Sequence, residues 1–382
     1  MTSVHGRPDT SEPPASGERM NIVALVPAHQ EEASIFSTVS ALLCQERVPD
    51  RIVVVADNCT DATVARTREV VENHPGAPLV IVRTVDNAQR KSGALNWAWH
   101  TFCRHADLLI TLDADTVLPP NAVADWEAEF LDDEHLAGSS SKFTMPSTGT
   151  GGGNLLVRLQ RAEFARWTIT GLRRGWTSVL AGTGCAIRNS VLREIAARED
   201  RTGPWSHDSQ VEDFELTYRI RQTGHTCHIS PTVRAYTDAM PTLKSLWGQR
   251  MKWQVGTCQD LLTFGVNRFT RTDWCQQIAG LAAALVRVGW VSITLAALLL
   301  GVLQFHPIWL LPTILFIAND TRQALHVPHR DKWDVLMATL LLPQELFAWL
   351  RAGWFLASWW EVLRGERKDR WTLQYVAEGE RG

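Results

Sequence analysis

The sequence predicts an α/β fold followed by interfacial and membrane-spanning helices. Short apolar runs alternate with helical patterns from Asn21 onward, which is typical of a βαβ succession. Further along, Ile278–Phe305 is apolar over a length that can cross a bilayer, which requires about 20 residues. Because 382 residues exceed the usual size of one domain, we expect a main body with a second element attached.

The elements of the α/β part can be placed in order. Three apolar runs are predicted strands, IVALVP, RIVVVAD and LVIVRTV, and the segments between them, Ser34–Cys44 and Thr60–Asn73, are predicted helices. A third helix is expected around Ala94–Arg104, and the next run, DLLITLDADT, leads directly into Asp113 and Asp115. Open, mostly parallel sheets bind ligands at the carboxyl ends of their strands. We therefore expect a nucleotide-binding sheet with its site along that edge.

The two aspartates are suited to a divalent metal. Mg²⁺ and Mn²⁺ prefer oxygen ligands and are usually held by one or two carboxylates together with phosphate oxygens and water. The sequence contains neither G-x-G-x-x-G after its first strand nor a P-loop motif, so dinucleotide and P-loop sites lose their main support. A D-x-D pair also occurs in ordinary turns and calcium loops, which leaves a structural role open.

Charge and cysteine content exclude several classes of protein. A net charge of -3 provides no basic field for nucleic acid. The seven cysteines are scattered without a C-x-x-C pair, which argues against a zinc or disulfide framework and favours a reducing compartment. Residues 1–20 are polar without an apolar core, so they predict a disordered tail rather than a signal peptide. Gly149–Gly153 predicts a flexible loop before a helix at Asn154–Ile169.

The last third of the chain predicts contact with a membrane. Ile278–Phe305 carries one charge, Arg287, which would cost about 2.5–3.5 kcal/mol at the centre of a bilayer. We therefore place Arg287 near the cytoplasmic end, with Val288–Phe305 as the span; a buried helix of a soluble core is the alternative. Ile308–Ala318 is short and Val335–Leu363 is interrupted by polar residues, so either can span, re-enter or lie in the interface.

Aromatic and basic residues support the same interpretation. Nine tryptophans crowd this region, as amphipathic rings do at headgroup depth: Trp274, Trp290, Trp309, Trp333, Trp349, Trp354, Trp359, Trp360 and Trp371. Basic residues flank the apolar stretches at 268–271, 329–332 and 364–370, and the positive-inside tendency places these flanks in the cytoplasm. This predicts two or four crossings in a multi-pass protein of the cell membrane, with the α/β body in the cytoplasm.

Further motifs surround the aspartate pair. Before it lie PAHQEE at 27–32, DNCTDAT at 57–63 and KSGALN at 91–96; after it lie AGTGCA at 181–186, VED at 211–213 and QRMKW at 249–253. Most also have a plainer interpretation: a helix start, an N-cap, a solvated lysine, first-turn acids or an amphipathic interfacial helix. In this order they resemble the membrane-integrated branch of family 2 glycosyltransferases, which includes cellulose, chitin, hyaluronan and poly-N-acetylglucosamine synthases.

The resemblance runs from about Asn21 to the end and implies a domain organisation. It implies a GT-A type nucleotide-binding domain at 21–240, interfacial helices at 241–277, transmembrane or re-entrant helices at 278–363 and a cytoplasmic tail at 364–382. Mg or Mn is the implied cofactor, with Asp113 and Asp115 as its ligands. Nucleotide contacts are implied for five residues: Pro27, Glu31, Asp57, Lys91 and Asp113.

The resemblance also assigns chemistry to the later motifs. Asp213 is implied as the catalytic base. Residues toward the acceptor and the diphosphate are implied to be Gly182, Thr183, Glu212, Gln249, Arg250, Lys252 and Trp253. The sequence departs from the family's P-A-x-N-E at Gln30, from T-E-D at Val211 and from Q-x-x-R-W at Lys252. Because lysine lacks the planar fork that grips phosphate at two points, the last change puts processivity in question more than activity.

These inferences predict an inverting, metal-dependent sugar transfer from a uridine diphosphate sugar of glucose or N-acetylglucosamine type to a growing glycan at the cytoplasmic face. Single transfer to a lipid phosphate is the alternative, although such enzymes generally lack the Q-x-x-R-W and T-E-D elements. A third interpretation is a membrane scaffold that keeps the transferase fold without its activity. The expected partners are the nucleotide sugar, a glycan or lipid-linked acceptor and the lipid bilayer, without nucleic acid. A homo-oligomer is considered because two spans leave little wall for a channel.

Overall fold

A computed structural model describes residues 19–146, 154–198, 201–366 and 368–379. Most of the predicted disordered tail, 1–18, and the predicted loop Gly149–Gly153 lie outside the described residues.

The chain divides into two compact units. The first comprises 1–145 with 168–238, and the second comprises 146–167 with 239–382. The sequence placed a single catalytic domain at 21–240, whereas this division groups residues 146–167 with the C-terminal helices.

The first unit is built on a seven-stranded sheet with the order β3-β2-β1-β4-β6-β5-β7. Its elements are β1 (Ile22–Ala28), α1 (Ile35–Leu43), β2 (Arg51–Asp57), α2 (Thr63–Asn73), β3 (Leu79–Thr84), α3 (Arg90–Phe102), β4 (Leu108–Thr111), α4 (Ala122–Asp132), β5 (Leu136–Thr144), the last turns of α5 (Leu155–Arg174), β6 (Cys185–Arg188), α6 (Asn189–Ala196), α7 (Glu212–Gln222) and β7 (Thr226–Tyr236).

The sheet is mixed. β1 pairs in parallel with β2 and β4, and β2 pairs in parallel with β3. β6 lies antiparallel between β4 and β5, and β7 is parallel to β5. β1 and β2 are nearly continuous apolar runs because both of their faces are buried. The chain builds outward from β1 to β3 and then returns to place β4 beside β1, which creates the switch point where open α/β sheets form a ligand crevice.

The predicted α/β succession is confirmed through β4, with shifted ends. α3 begins at Arg90 rather than at Ala94, so Lys91 lies in its first turn. β4 ends at Thr111, and Asp113 and Asp115 follow it directly. The antiparallel β6 was not predicted because a strand of four residues carries little periodicity.

The second unit is helical within the described residues. It contains the first part of α5 together with α8 (Leu243–Phe264), α9 (Arg271–Leu299), a 3-10 turn (Pro307–Trp309), α10 (Leu310–Ala324), α11 (Lys332–Thr339), α12 (Leu341–Leu363) and α13 (Arg370–Glu378). An ionic cluster ties α5 to α11: Arg161 Nη1 lies 2.9 Å from buried Asp334 Oδ2, and Arg158 Nη1 lies 2.6 Å from Oδ1 of exposed Asp331.

One described helix, α9, is long and apolar enough to cross a membrane. It has 29 residues and a window of mean hydropathy 1.9 that is almost entirely exposed. α11 and α12 pass the same test only as a pair bent by 77°, so the described residues offer one candidate span, or two if that pair counts as one. Arg287 lies within α9, and its Nε lies 3.3 Å from Glu345 Oε2 of α12. Its predicted place near the cytoplasmic end of the span stays a prediction.

Candidate active site

Lys91 is the centre of a charged cluster at the carboxyl edge of the sheet. Its Nζ lies 2.7 Å from Asp113 Oδ1 and 3.1 Å from Glu212 Oε1. Burial disfavours the ammonium, but the carboxylates of Asp113 and Glu212, with Asp213, hold the pKa of Lys91 well above its ordinary value. A cation in the first turn of a helix opposes the helix dipole, so these acids explain why Lys91 is tolerated and remains charged.

Gly182 lets the loop before β6 approach this cluster. A Cβ at position 182 would lie 2.6 Å from Lys91 Nζ and 3.1 Å from Asp113 Oδ2. The carbonyl of Gly182 accepts a hydrogen bond from the amide of Asp113 at 2.9 Å. The neighbouring Thr183 hydroxyl is buried and has no hydrogen-bond partner in the described part of the chain. The predicted glycine segment therefore packs directly on the Lys91–Asp113 pair.

Asp213 lies beside Glu212 in the first turn of α7. Its Oδ1 accepts a hydrogen bond from the Phe214 amide at 2.8 Å, which fixes the carboxylate at the helix start. A cleft of about 320 Å³ opens here. Its polar lining includes Lys91, Asp113, Glu212 and Asp213, and its other lining residues are Pro27, Leu95, Thr111, Leu112, Leu180, Gly182, Cys185, Ile187, Trp205 and Leu216.

The motif PAHQEE at 27–32 and the motif DNCTDAT at 57–63 are hydrogen-bonded to each other. Gln30, which has a left-handed backbone with φ of 59°, accepts from the amides of Thr60 at 2.9 Å and Asp61 at 3.2 Å. Glu31 Oε2 accepts from the hydroxyl of Ser34 at 2.6 Å, so its carboxylate serves the start of α1. Gln30 therefore joins the ends of β1 and β2.

Asp57 is buried at the end of β2. Its Oδ1 accepts from the Thr84 hydroxyl and, at 2.8 Å, from Asn87 Nδ2. Asp57 and Glu31 are not among the residues that line the cleft around Lys91, although Pro27 is. The structure thus brings Pro27, Lys91 and Asp113 of the predicted nucleotide set to the cleft, whereas Asp57 and Glu31 lie outside its lining.

The two metal-ligand candidates differ in their environment. Asp113 is paired with Lys91, whereas Asp115 Oδ1 accepts from the hydroxyls of Thr116 at 3.1 Å and Thr237 at 3.3 Å. No group of three or more His, Cys, Asp or Glu suited to a metal occurs in the residues that the structure describes. Two hard carboxylates fit Mg²⁺ or Mn²⁺ in the mode where phosphate oxygens and water complete the coordination.

The remaining predicted residues lie together on α8 of the second unit. Arg250 Nη2 lies 2.9 Å from Glu163 Oε2, and its guanidinium lies 4.4 Å from the Trp253 ring centroid. Lys252 Nζ lies 3.3 Å from the ring centroid of Trp371, in α13. The Gln249 Oε1 atom is buried without a hydrogen-bond partner among the described residues. The cation expected near the diphosphate is therefore stacked on a tryptophan of its own unit.

Sequence reasoning missed two residues of the cleft region, Trp205 and Asn96. Trp205 lines the cleft, and Asn96 bonds the backbone of Trp205 at both ends. One signal was available: Asn96 is a polar residue in a helix interior between Leu95 and Ala98, both buried, where an amide is disfavoured unless it has partners.

The family assignment rests on a match over most of the first unit and the start of α8. A family model described as Glycosyltransferase like family 2 matches residues 20–256, which is more than half of the chain. The chain is a family 2 glycosyltransferase. Its mixed seven-stranded sheet matches the GT-A type of glycosyltransferase structure.

Two curated relatives of this glycosyltransferase cover about two thirds of the chain. It is 28% identical over 253 residues to the probable glycosyltransferase YdaM of Bacillus subtilis, covering 65% of this chain and 57% of that protein. It is 22% identical over 265 residues to the poly-beta-1,6-N-acetyl-D-glucosamine synthase of Staphylococcus aureus, covering 68% and 59%. The chain therefore spans less than two thirds of the length of each relative.

A solved structure resembles this glycosyltransferase over nearly its whole length. The mannosyltransferase of Pyrobaculum calidifontis, in complex with GDP-Man and Mn²⁺, matches 92% of this chain and 89% of its own, with a TM-score of 0.60 and 16% identity. At this identity the likeness shows the fold.

Proposed function

We propose that this glycosyltransferase transfers a sugar from a nucleotide donor with inversion, with a divalent metal, to a growing glycan at the cytoplasmic face of the cell membrane. One observation carries the proposal. A lysine ammonium, the Asp113 carboxylate of D-x-D and the Glu212–Asp213 pair meet in one cleft at the switch point of a nucleotide-binding type of sheet.

Asp213 is the proposed catalytic base. Inverting transfer requires a carboxylate that takes the proton from the incoming hydroxyl as this attacks the anomeric carbon opposite the leaving group. Asp213 faces the cleft and is held by the amide of Phe214. Its neighbour Glu212 lies 3.1 Å from Lys91, so the two acids of the pair have different surroundings in the cleft.

Lys91, Asp113 and Asp115 are proposed to serve the donor diphosphate. Asp113 and Asp115 would hold a divalent cation, which neutralises the charge of the nucleoside diphosphate when bound. The Lys91 ammonium adds positive charge at the same place, where Asp113 orients it. Pro27, Glu31 and Asp57 are proposed to contact the nucleotide from the ends of β1 and β2.

The donor is proposed to be a uridine diphosphate sugar of glucose or N-acetylglucosamine type. The relative named poly-beta-1,6-N-acetyl-D-glucosamine synthase favours N-acetylglucosamine. The exposed apolar surface of α9 supports a bilayer as a partner. Gly182, Thr183, Gln249, Arg250, Lys252 and Trp253 are proposed to lie toward the acceptor and the diphosphate. A homo-oligomer would supply further wall for a channel.

Transfer of a single sugar to a lipid phosphate or another non-polymer acceptor is the second candidate. It is favoured by the stacking of Lys252 on Trp371, which engages the cation of the Q-x-x-R-W-like motif within the second unit. Polymer formation relies on that motif in the family that the sequence resembles.

The test uses the full chain in nanodiscs with radiolabelled sugar nucleotides and Mg²⁺ or Mn²⁺. The panel includes UDP-glucose, UDP-N-acetylglucosamine and GDP-mannose, with Asp113→Asn as the variant and Asp132→Asn, an exposed acid of α4, as the control. We expect turnover of one UDP-sugar that requires the metal and is lost in Asp113→Asn alone. Consumption of no donor, together with unchanged nucleotide binding in Asp113→Asn, contradicts the proposal. The size of the product separates a polymer from single addition.

A further inference from the structure

Asn96 binds the backbone of the segment that leads into Glu212 and Asp213. We call this segment, residues 201–211, the connection, and the hydrogen bonds of Asn96 to it the clasp. Asn96 is almost fully buried on α3, and its Oδ1 accepts from the amide of Trp205 at 3.0 Å. Its Nδ2 donates to the carbonyl of the same residue at 2.8 Å. Because a backbone amide can only donate, the first contact fixes which end of the Asn96 side chain is oxygen. The side chain therefore binds the backbone of one residue, Trp205, at two points.

The connection is built for this close approach. A Cβ at Gly203 would lie 2.3 Å from Asn96 Oδ1, so only glycine fits there. Arg201 forms a buried two-point ion pair with Glu215 of α7 at 2.8 and 3.1 Å, which ties the same segment to the helix that carries Asp213. The clasped residue, Trp205, lines the cleft with Asp213.

His207 completes the clasp in one protonation state. Its Nε2 lies 2.8 Å from Asn96 Nδ2, which has only hydrogens to offer, so the ring nitrogen accepts and the ring is neutral. Its Nδ1 faces the Thr202 hydroxyl at 3.4 Å. Burial lowers the pKa of His207. The negative charge of Asp208 raises this pKa, and the positive charge of Arg201 lowers it.

His100 is a further titratable residue of this region. His100, on the same face of α3, has its Nε2 3.0 Å from the carbonyl of Thr202. It contacts the carbonyl of Thr202, so substitution of His100 separates its contribution from that of His207.

We propose that Asn96 is a positioning residue for sugar transfer: by clasping Trp205 and neutral His207, it fixes the connection that presents Asp213 in the cleft, and protonation of His207 releases this clasp. The inference rests on the proposed function of the same cleft. It assigns Asn96 and His207 no contact with the reacting atoms; both act through Trp205 and the start of α7.

The decisive variant is Asn96→Asp, with Asn73→Asp, an exposed asparagine at the end of α2, as its matched control. The aspartate would remove both donated hydrogen bonds and set a carboxylate against the Trp205 carbonyl. At about pH 7.5 we expect turnover of UDP-N-acetylglucosamine with Mn²⁺ to fall about 100-fold, the loss that a 1 Å misplacement can cause, with KM for the donor nearly unchanged.

The pH profile separates positioning from a general loss of structure. Because burial lowers the pKa of His207, the ring becomes protonated only at a pH below the ordinary histidine value of about 6.5. The protonated ring cannot accept from Asn96, so turnover of the natural chain falls there. In Asn96→Asp the protonated ring can instead donate to the new carboxylate, so turnover rises as the pH falls. His207→Gln offers an amide oxygen as acceptor and removes the acid-side loss, whereas His100→Gln keeps it. Parallel profiles for the natural chain and Asn96→Asp would overturn the inference.

Hydrogen–deuterium exchange provides a readout that does not need activity. Amides of residues 201–211 are expected to exchange faster in Asn96→Asp at about pH 7.5, and in the natural chain below about pH 6 after correction for intrinsic rates. His207→Gln should show no acid-side increase. If exchange responds in this way and no sugar is transferred, the clasp stands and the proposed function fails. If sugar is transferred and Asn96→Asp matches the natural chain in both assays, the clasp fails.

Discussion

Each unit contains a buried cation paired with a carboxylate, but the charges are balanced differently. In the first unit, Lys91 contacts Asp113 and Glu212, and Asp213 acts on it at longer range, so three acids surround one cation. In the second unit, Glu163 lies 2.9 Å from Arg250 and 3.8 Å from Arg351, so two cations share one acid. The first cluster has a surplus of negative charge and the second a surplus of positive charge.

The surplus indicates which ligand each cluster suits. Negative charge next to D-x-D suits a divalent cation, and with it a diphosphate. The positive cluster is instead faced by aromatic rings, and the guanidinium of Arg250 lies 5.3 Å from the ring centroids of both Phe164 and Trp167. Burial lowers the pKa of Arg250, the charge of Glu163 raises it and that of Arg351 lowers it.

The largest expected effect concerns Asp213, the proposed base in the negatively charged cluster around Lys91. Asp213→Asn keeps the shape of the side chain and removes the base. We expect turnover to fall about 10²- to 10⁴-fold, the usual contribution of a positioned general base, while donor affinity changes little. Initial rates and nucleotide titrations on the same preparation measure both quantities.

Asp132→Asn, which neutralises an exposed acid of the same unit, should keep full turnover. Turnover in Asp213→Asn within about twofold of the natural chain, well below the usual contribution of a general base, would remove Asp213 from the chemistry.

A second test compares the two buried cations, Lys91 and Arg250. Lys91→Met leaves Asp113 and Glu212 facing each other, and removal of one partner from a buried pair costs about 3–5 kcal/mol. Arg250→Met should cost less because Glu163 keeps Arg351 as a partner. Chemical unfolding of both variants in one detergent measures the difference.

A double variant and the pH dependence of stability sharpen this comparison. Lys91→Met combined with Glu212→Gln should recover part of the loss, because fewer like charges remain. The pKa of Lys91 is higher in the folded state than in the unfolded state. Its contribution to the free energy of unfolding is therefore complete below the unfolded pKa of about 10.4, and it is lost as the pH rises through the folded pKa. An equal cost for Lys91→Met and Arg250→Met would show that the charge surplus does not decide stability.

The smallest expected effect concerns the stacked lysine of the second unit. Trp371→Leu removes the ring that faces buried Lys252, and a desolvated cation–π contact contributes about 1–2 kcal/mol. The melting temperature in nanodiscs should fall accordingly.

Trp333→Leu is the matched control, because Lys332 Nζ lies 5.6 Å from an exposed Trp333 ring and should contribute less. Equal shifts for the two variants would show that the Lys252 stack is no stronger than a surface contact.

Much of the first unit could be predicted from local patterns. The continuous apolar runs of β1 and β2 and the helical periodicity between them located the sheet, and the position of Asp113 after β4 located its ligand edge. The motifs around Lys91 and Asp213 predicted two residues that the structure brings to the cleft. In the second unit, the apolar stretch predicted α9 but not its beginning at Arg271, because polar residues open that helix.

The pairings could not be predicted in the same way. The sequence predicted Glu212 near the acceptor and the diphosphate, but it did not predict the ion pair between Glu212 and Lys91. The sequence predicted Lys252 near the diphosphate but not its contact with the ring of Trp371. Asn96 was read only as the end of a motif, although it holds Trp205.

The sequence by itself determined the α/β succession, the D-x-D edge and the order of the glycosyltransferase motifs, because periodicity and spacing act between residues that are close along the chain. The tertiary structure alone decided which acid neutralises Lys91, which carbonyl Asn96 binds and which ring covers Lys252. These partners are separated by many residues, and their meeting depends on how the sheet order and helix packing fold the chain back on itself.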